Sequence, residues 1–345
     1  MFNALNSKYI IDGVPQELTP AGLLAPVLEK PQEAEPVSGT VIDETMDPAP
    51  GPIMLDPTRT NTYLDALGWH ERQMPGPFAA PCTRERIAEA LIDSAWRVGN
   101  FRMDELALTV KWTFNSANVG DMAAFYASVE AASDYIDALG LVLRRYACES
   151  GSFGVKIATP FSGAPLLVDS ELRPDPQSWL IYIPFDISDY RLGGSLLAQA
   201  LGIRGGTAPQ ITDADYFIDC FELVRELAVD GILLSAVTVG AGGLGAALKK
   251  LCSEGTGVTV NLSDVLRANS GSDAPHVLFA EIPGALIQVR DMDFDYIDAE
   301  FILQDVAYYP LGHPVPGGGL EFAATDKPGI QTILETLMQN AEGED

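Results

Sequence analysis

Apolar residues recur at helix or strand spacing along most of the chain after residue 60. Residues 84–98 predict an amphipathic helix with Thr83 as its N-cap, and residues 121–139 predict a longer one. Between them, residues 105–114 alternate apolar and polar like a half-buried strand. These patterns predict an αβα unit in which the two helices cover one face of the strand.

A second unit is predicted to begin with the apolar run at residues 179–185, which is typical of a buried strand. Helix and strand patterns then alternate, which indicates an α+β fold with two α/β domains. The predicted helices lie at 215–229, 243–252, 294–303 and 330–340, and the strands at 231–239, 258–262 and 285–289, with a Pro/Gly loop at 310–319.

The first part of the chain has a different composition. Residues 29–58 are rich in proline and acidic residues and poor in aromatic ones, so they have little apolar surface to offset the entropy of ordering. The sequence therefore predicts a tail and linker at residues 1–58, one domain at 59–178 and a second at 179–345. Removing residues 1–58 is expected to leave the melting temperature nearly unchanged.

The net charge of the chain disfavours some classes of binding partner. The chain has 48 acidic and 21 basic residues and a formal net charge of −27. Such a field repels phosphate backbones and anionic lipid headgroups, so we expect neither nucleic acid nor membrane as a partner. No apolar run approaches the roughly 18 residues of a spanning helix, and a cytoplasmic protein is expected. The four cysteines form no C-x-x-C pair, which is typical of reduced, buried thiols.

Seven strings occur in an order that resembles the family of formylglycinamide ribonucleotide amidotransferase (FGAM synthase). A single match of this kind is weak, whereas their shared order over residues 72–289 is far more specific. The strings are RQMPGPF (72–78), IAEALID (87–93), LALTVKW (106–112), AAFYASVEAASDYIDALGL (123–141), DYRLGGSLLAQALG (189–202), VGAGGLGAALKKLCSEGTGVTVNL (239–262) and LFAEIPGALIQV (278–289).

The resemblance implies a fold and a partner. The chain looks like the C-terminal synthetase half of that enzyme, which has two AIR-synthase-like (PurM-like) domains, the first with a mixed sheet. In the family, such a half pairs through its first sheet with a related half and contributes to a structural nucleotide site with magnesium. The partners implied are a second copy of the chain or a related synthetase half.

Two candidate metal ligands remain from the family pattern. Glu89 and Asp93 are four residues apart, so both carboxylates lie on one helix face and could share a hard cation. In the resembling family, glutamate and asparagine at the matching positions bind magnesium. The alternative is a solvated acidic helix face, which is common in so acidic a chain.

Most other ligand positions of the family are replaced. Its glycine-lysine-aspartate-serine motif falls on Tyr, Ala, Cys and Glu at residues 146–149, so the lysine that would offset phosphate charge is missing. Its histidine-aspartate pair before the second glycine turn falls on Val237 and Thr238. The resemblance therefore implies that no catalytic residue remains and that neither magnesium nor ATP or ADP is bound unless the ancestral site is partly retained.

The glycine turn at residues 193–194 is the remaining candidate for cofactor binding. Arg191, Gly193, Gly194 and Ser195 together could meet an anion at a helix N-terminus. The alternative is that the glycines serve tight turns and that Arg191 pairs with Asp189. His70, His276 and His313 are scattered and suggest no nucleophilic site.

Three functional hypotheses follow. The first is a non-catalytic paralogue of the synthetase half that acts as an assembly or binding module. The second is a subunit of an active FGAM synthase, an ATP-dependent ligase of purine biosynthesis. The third is a remodelled nucleotide- or small-molecule-binding protein that uses Glu89, Asp93 and Arg191.

Overall fold

The structure is a computed structural model, and it describes residues 3–30, 37–46, 51–68, 72–99 and 101–323. The predicted helix at 330–340 and His70 lie outside these residues. In the part of the chain that is described, no helix is long and apolar enough to cross a membrane.

The N-terminal residues form a small sheet that packs on the first domain. Its strand order is β2-β1-β3, with β1 and β3 parallel. Tyr9 of β1 is buried, and its ring lies 5.1 Å from that of Tyr126. The elements are β1 (Lys8–Ile11), β2 (Val14–Pro15), α1 (Pro20–Leu24) and β3 (Val41–Glu44).

Strand β3 lies where the sequence indicates a linker. Ile42 is buried beside Tyr9 in the core, and the Glu44 carboxylate accepts hydrogen bonds from the backbone N–H groups of Met122 and Ala123 at 3.0 and 3.1 Å. A carboxylate in this position satisfies free donors in the first turn of a helix. The structure corrects the linker prediction for residues 41–44, because they pair with β1 and because the partners of Glu44 lie about 80 residues further along the chain.

The first domain is a three-stranded sheet, of order β5-β4-β6, that carries helices on one face. Leu108, Val110 and Trp112 point into the core as the alternation predicts, and the Trp112 indole donates to Ser128 at 2.9 Å. Its elements are α3 (Ala79–Ala95), β4 (Ala107–Phe114), α4 (Asp121–Ala138), β5 (Val142–Ser150) and β6 (Gly154–Ala158), whereas the preceding helix α2 (Thr60–Leu67) packs in a separate core with residues of the second domain.

Helix α3 begins earlier than its sequence indicates. Thr83, predicted as the N-cap, lies inside the helix, and its hydroxyl donates to the Ala79 carbonyl at 2.6 Å. Pro81 is compatible with this earlier start, because a first helical turn leaves backbone N–H groups unbonded in any case.

The second domain contains an antiparallel sheet of order β11-β7-β10-β8 that is buried on both faces. Ile287 of β10 points to the core shared with the first domain, and its neighbour Leu286 points to a second core on the other face. The elements are β7 (Trp179–Pro184), α5 (Leu196–Ala200), α6 (Ala214–Val229), β8 (Leu233–Val239), α7 (Gly243–Leu251), β9 (Thr256–Val260), α8 (Ser263–Ala268), α9 (Ala274–Phe279), β10 (Gly284–Val289), α10 (Asp291–Leu303), β11 (Tyr309–Gly312) and β12 (Pro314–Phe322).

Strands β11 and β12 replace the predicted Pro/Gly loop at 310–319. Strand β11 pairs with β7 and β12 with β9, and the register shifts at the prolines and glycines. The prolines are tolerated because both strands lie at sheet edges. His313 lies between them, with its ring 4.0 Å from that of Trp179, which is a packing role.

Candidate functional site

The candidate site lies on the face of α3 that is turned toward the second domain. Glu85, Glu89 and Asp93 follow one another at intervals of four residues, which places their carboxylates in a row along one helix face. Glu85 is buried, while Glu89 and Asp93 are partly exposed. Without cations, this row of like charges would destabilise the helix.

Arg72 supplies a cation to this row from the extended segment before α3. Its guanidinium contacts Glu85, lies 3.0 Å from Glu89 and lies 3.3 Å from Glu281 of the second domain. Burial lowers the pKa of Arg72, but the three carboxylates raise it by more, so the guanidinium stays charged. A single, partly buried arginine therefore joins both domains at this point.

Glu85 is the most strongly perturbed acid of the site. Burial raises the pKa of its carboxyl to about 8, and the charges of Glu89 and Glu281 act in the same direction against that of Arg72. One of its oxygens, Oε1, has no hydrogen-bond partner among the described residues. An ionised carboxylate would be costly in this position, so we assign Glu85 a proton near neutral pH.

Glu281 fills the anion-binding end of two glycine turns. Its Oε1 accepts hydrogen bonds from the backbone N–H groups of Gly242 at 2.7 Å and Leu196 at 2.8 Å. These donors lie at the N-termini of α7 and α5, where free N–H groups attract an anion. The chain therefore places its own carboxylate where the anion of a ligand would be expected.

The glycines at residues 240–243, just before and at the start of α7, allow neighbouring groups to approach the backbone closely. A Cβ atom at Gly240 would lie 2.6 Å from the Glu89 carboxyl carbon, and one at Gly243 would lie 2.6 Å from the Ala280 carbonyl oxygen. Gly242 has a positive φ of +78°, which a residue with a side chain rarely adopts. These glycines serve the packing of the turn on Glu89 and on the end of α9.

The predicted cofactor residues do not converge on one point. Gly193 and Gly194 pack against the Phe78 ring, and the Ser195 hydroxyl accepts from the Ala198 N–H at 3.2 Å as the N-cap of α5. Arg191 lies on the surface and donates to Asp189 at 2.7 Å, as the alternative interpretation expects. In this structure all four residues have structural partners.

The two predicted metal ligands are each paired with an arginine. Glu89 is bonded to Arg72, and Asp93 accepts from Arg97 Nε at 2.9 Å and Nη2 at 2.8 Å. Across the described ranges, no group of three or more His, Cys, Asp or Glu side chains is arranged to hold a metal ion. In this structure both carboxylates are therefore held by arginines.

Little space remains between the two domains at this point. The cavity beside Glu85, Ser195 and Glu281 measures about 10 Å³, which is room for about one water molecule. Cys82 also lines it, and burial raises the pKa of its thiol to about 12, so the thiol stays protonated.

Thr238 stands where the resembling family has a magnesium-binding aspartate. Its hydroxyl accepts from the Trp96 indole N–H at 2.9 Å, which ties β8 to the end of α3. Sequence reasoning placed Glu89 and Asp93 on one helix face but missed Arg72, Glu85 and Glu281. Two of these three lie in quoted strings, RQMPGPF and LFAEIPGALIQV, but nothing in either string indicates that they pair.

Comparison with known proteins identifies the fold of the chain. No protein-family model matches the chain. Among solved structures, PurL of Thermotoga maritima complexed with FGAR matches 70% of this chain and 40% of its own, with 13% identity and a TM-score of 0.51. PurLQS from the same organism matches with 12% identity and a TM-score of 0.50, over 70% of this chain and 38% of its own.

The chain has the AIR-synthase-like (PurM-like) fold. It spans less than half the length of the PurL chains that it matches. Escherichia coli HypE, a hydrogenase maturation protein, is also similar, with 13% identity and a TM-score of 0.47 over 70% of this chain and 76% of its own. At these identities the likeness concerns the fold alone, and function depends on the residues of the site.

Proposed function

We propose that this AIR-synthase-like chain is a non-catalytic paralogue of the FGAM synthase synthetase half and acts as an assembly or binding module. The observation that carries the proposal is the Arg72–Glu281 ion pair. Glu281 takes the helix N-terminal donors, and Arg72 neutralises the acidic row of α3. Both charges of a metal–phosphate ligand are thus replaced by side chains of the chain.

The purine-biosynthesis ancestry within this proposal is supported by the ordered strings at residues 72–289 and by the fold shared with PurL. Loss of activity is supported by the replaced ligand positions. No lysine or aspartate occurs at residues 146–149, so nothing there offers the charge that phosphoryl transfer requires.

Nucleotide binding tests the proposal directly. Calorimetry of the full chain with ATP or ADP and magnesium is expected to show no saturable heat at micromolar concentrations. Native mass spectrometry of chain purified without nucleotide should show no bound nucleotide. The variants Arg72→Ala and Glu281→Ala control for a masked site, since tight magnesium-dependent binding in either would mean that the ancestral site is only blocked.

The alternative is that the chain is a subunit of an active FGAM synthase. The chain would then contribute surface to a related half that carries the active residues. Supplying the chain to such a half and measuring ammonia-dependent phosphate release separates the two possibilities. Stimulation of at least about tenfold would favour the subunit, and an unchanged rate would favour the paralogue.

A remodelled ligand-binding protein is favoured by one observation. Arg191 lines two surface cavities, of about 540 and 370 Å³. Cavities of this size can hold small molecules. The pairing of Arg191 with Asp189 argues against a preformed anion site. Calorimetry with small anionic metabolites, repeated with Arg191→Ala, decides between these possibilities.

A further inference from the structure

Helix α10 has two apolar faces on opposite sides. Phe294, Ile297 and Phe301 turn toward the core that the two domains share. The other face carries Met292, Tyr296, Ala299 and Leu303, spaced by four, three and four residues. These four residues lie within about 60° of one another around the helix axis. We call them the α10 stripe.

The α10 stripe is open to solvent. Met292, Tyr296 and Leu303 are 82%, 51% and 79% exposed, and Ala299 is exposed as well. Single exposed apolar residues are ordinary on protein surfaces, but a row at this spacing over three helical turns is not. The 4-3-4 spacing is that of a seam between two helices, in which each row fills the spaces of its partner.

Carboxylates lie on both sides of the stripe, together with the exposed Ile302 on one side. Asp295 and Asp291 follow one edge, while Glu300 and Asp293 follow the other. Asp291 also accepts from the Trp179 indole, and Asp293 lies 3.3 Å from Arg290. In helix pairs, charges beside the apolar seam select the partner, so this border selects for basic residues.

A second copy of the chain and the chain's own C-terminal residues could cover the α10 stripe, but both carry the wrong charge. A second copy of α10 would place its own acidic borders against these. The chain beyond residue 323 contains five acidic residues and one lysine, so it would also bring like charge to the stripe. Like charges across such a seam disfavour association.

We propose that the α10 stripe is a docking site for an amphipathic helix of another protein, with apolar residues at heptad spacing and Lys or Arg beside them. The site lies on a different surface from the Arg72–Glu281 cluster. It gives the assembly role proposed above a partner of defined chemistry, but it does not depend on whether the nucleotide site is lost.

Two designed peptides of about 20 residues test the proposal. Both carry leucine at the seam positions and a fluorophore, one with lysines beside the seam and the other with glutamates. Fluorescence anisotropy with the full chain is expected to show saturable binding of the lysine peptide. Binding of the glutamate peptide should be at least about tenfold weaker.

Apolar variants separate docking from simple charge attraction. Met292→Ser with Leu303→Ser changes no charge and is expected to weaken the lysine peptide at least about tenfold. Met54→Ser, at a methionine that is 83% exposed elsewhere, is the matched control and should change nothing. If the lysine peptide fails to bind, or binds the α10 variant unchanged, the proposal is wrong.

Further variants of the full chain test whether a second copy or the C-terminal residues occupy the α10 stripe. If sedimentation shows that Met292→Ser with Leu303→Ser dissociates a dimer, the stripe binds a second copy and the proposal fails. If Leu334→Ser with Leu337→Ser is required before the peptide binds, the C-terminal residues occupy the stripe and the proposal also fails. The nucleotide measurements above are unaffected by any of these results.

Discussion

At the residue scale, Arg72 decides the chemistry of the site. Glu85, Glu89 and Glu281 surround its guanidinium, and their negative charge keeps it protonated although it is largely removed from solvent. Such a cluster is weak support for stability as a whole, but removing one partner leaves uncompensated buried charge. The dependence of the fold on Arg72 is therefore measurable.

Replacing Arg72 with methionine is expected to lower the free energy of unfolding by about 3 kcal/mol, because the carboxylates of Glu89 and the buried Glu281 would lose their shared cation. Urea denaturation measures this loss. Arg191→Met is the matched control, since the Arg191–Asp189 pair is exposed and is expected to contribute under about 1 kcal/mol. Equal losses in the two variants would mean that the cluster has no special role.

Glu85 should give the protein a distinctive pH dependence. Its pKa is raised from 4.5 to about 8 in the folded chain, so the folded state holds a proton that the unfolded state has released. Stability from this group is present below pH 4.5 and is lost as pH rises toward 8. The groups that act on it are Arg72, Glu89, Glu281 and Arg86.

Glu85→Gln mimics the protonated acid and tests this dependence. Between pH 6 and 8, the free energy of unfolding of the native chain is expected to fall more steeply than that of the variant, by up to about 1 kcal/mol per pH unit. Ordinary carboxylates are already ionised in that window, and the histidines are the same in both proteins. Parallel curves would show that Glu85 is ionised throughout.

At the element scale, the spacing of apolar residues predicted helices and strands whose buried side repeats regularly along the sequence. The helix at 121–139 is confirmed as Asp121–Ala138, and the inward side of β4 follows the alternation of its residues. Strand β3 was missed because its pairing with β1 crosses 33 residues of sequence and depends on burial of Ile42. Strands β11 and β12 were missed because Pro and Gly usually end strands.

The difference between local spacing and long-range contacts also explains which site residues the sequence could predict. Glu89 and Asp93 could be placed on one face of a helix from their spacing alone. Their partners could not, since Arg72 meets Glu281 across 209 residues of sequence. The domain boundary near residue 178 stays a prediction, although the first sheet ends at Ala158 and the second begins at Trp179.

The N-terminal residues are expected to stabilise the fold, contrary to the linker interpretation. Tyr9 is buried against Tyr126, and its hydroxyl donates to the Ala4 carbonyl at 3.0 Å. Tyr9→Ala should lower the free energy of unfolding by about 3 kcal/mol through the cavity it leaves. Tyr296→Ala, at an exposed tyrosine, is the matched control and should change it by less than about 0.5 kcal/mol.

A melting temperature that does not change in Tyr9→Ala, or after removal of residues 1–58, would restore the interpretation of this segment as a linker. Burial of Tyr9 raises the pKa of its phenol, with contributions from Cys148 and Glu44. The phenol therefore stays neutral over the range in which such melting experiments are made.

At the scale of the whole molecule, charge is distributed unevenly. The chain carries −27 overall, yet the face of the first sheet opposite its helices presents Lys111, Arg145 and Lys156. Glu149 lies 2.6 Å from Lys111 and offsets one of these charges. This open face, with Thr109, Ala147 and Ala158 between the charges, is the surface through which we propose that the chain pairs with a second copy or a related half.

Salt distinguishes the two kinds of pairing. In a homodimer, basic faces would meet basic faces within two strongly acidic chains, so screening should relieve repulsion. The dissociation constant from sedimentation is then expected to fall at least about threefold between 50 and 500 mM NaCl. A complex with a related half whose face is acidic should weaken over the same range.

Variants on the open face locate the contact. Thr109→Glu with Ala147→Glu places two carboxylates between the basic residues and should abolish the homodimer, because each new side chain also fills the space that the partner sheet would occupy. Val119→Glu is the control, since Val119 is exposed and lies in the turn between β4 and α4 rather than on a strand of the sheet. If the full chain sediments as a monomer at every salt concentration, self-pairing is excluded. A related half would then be the remaining partner for this face.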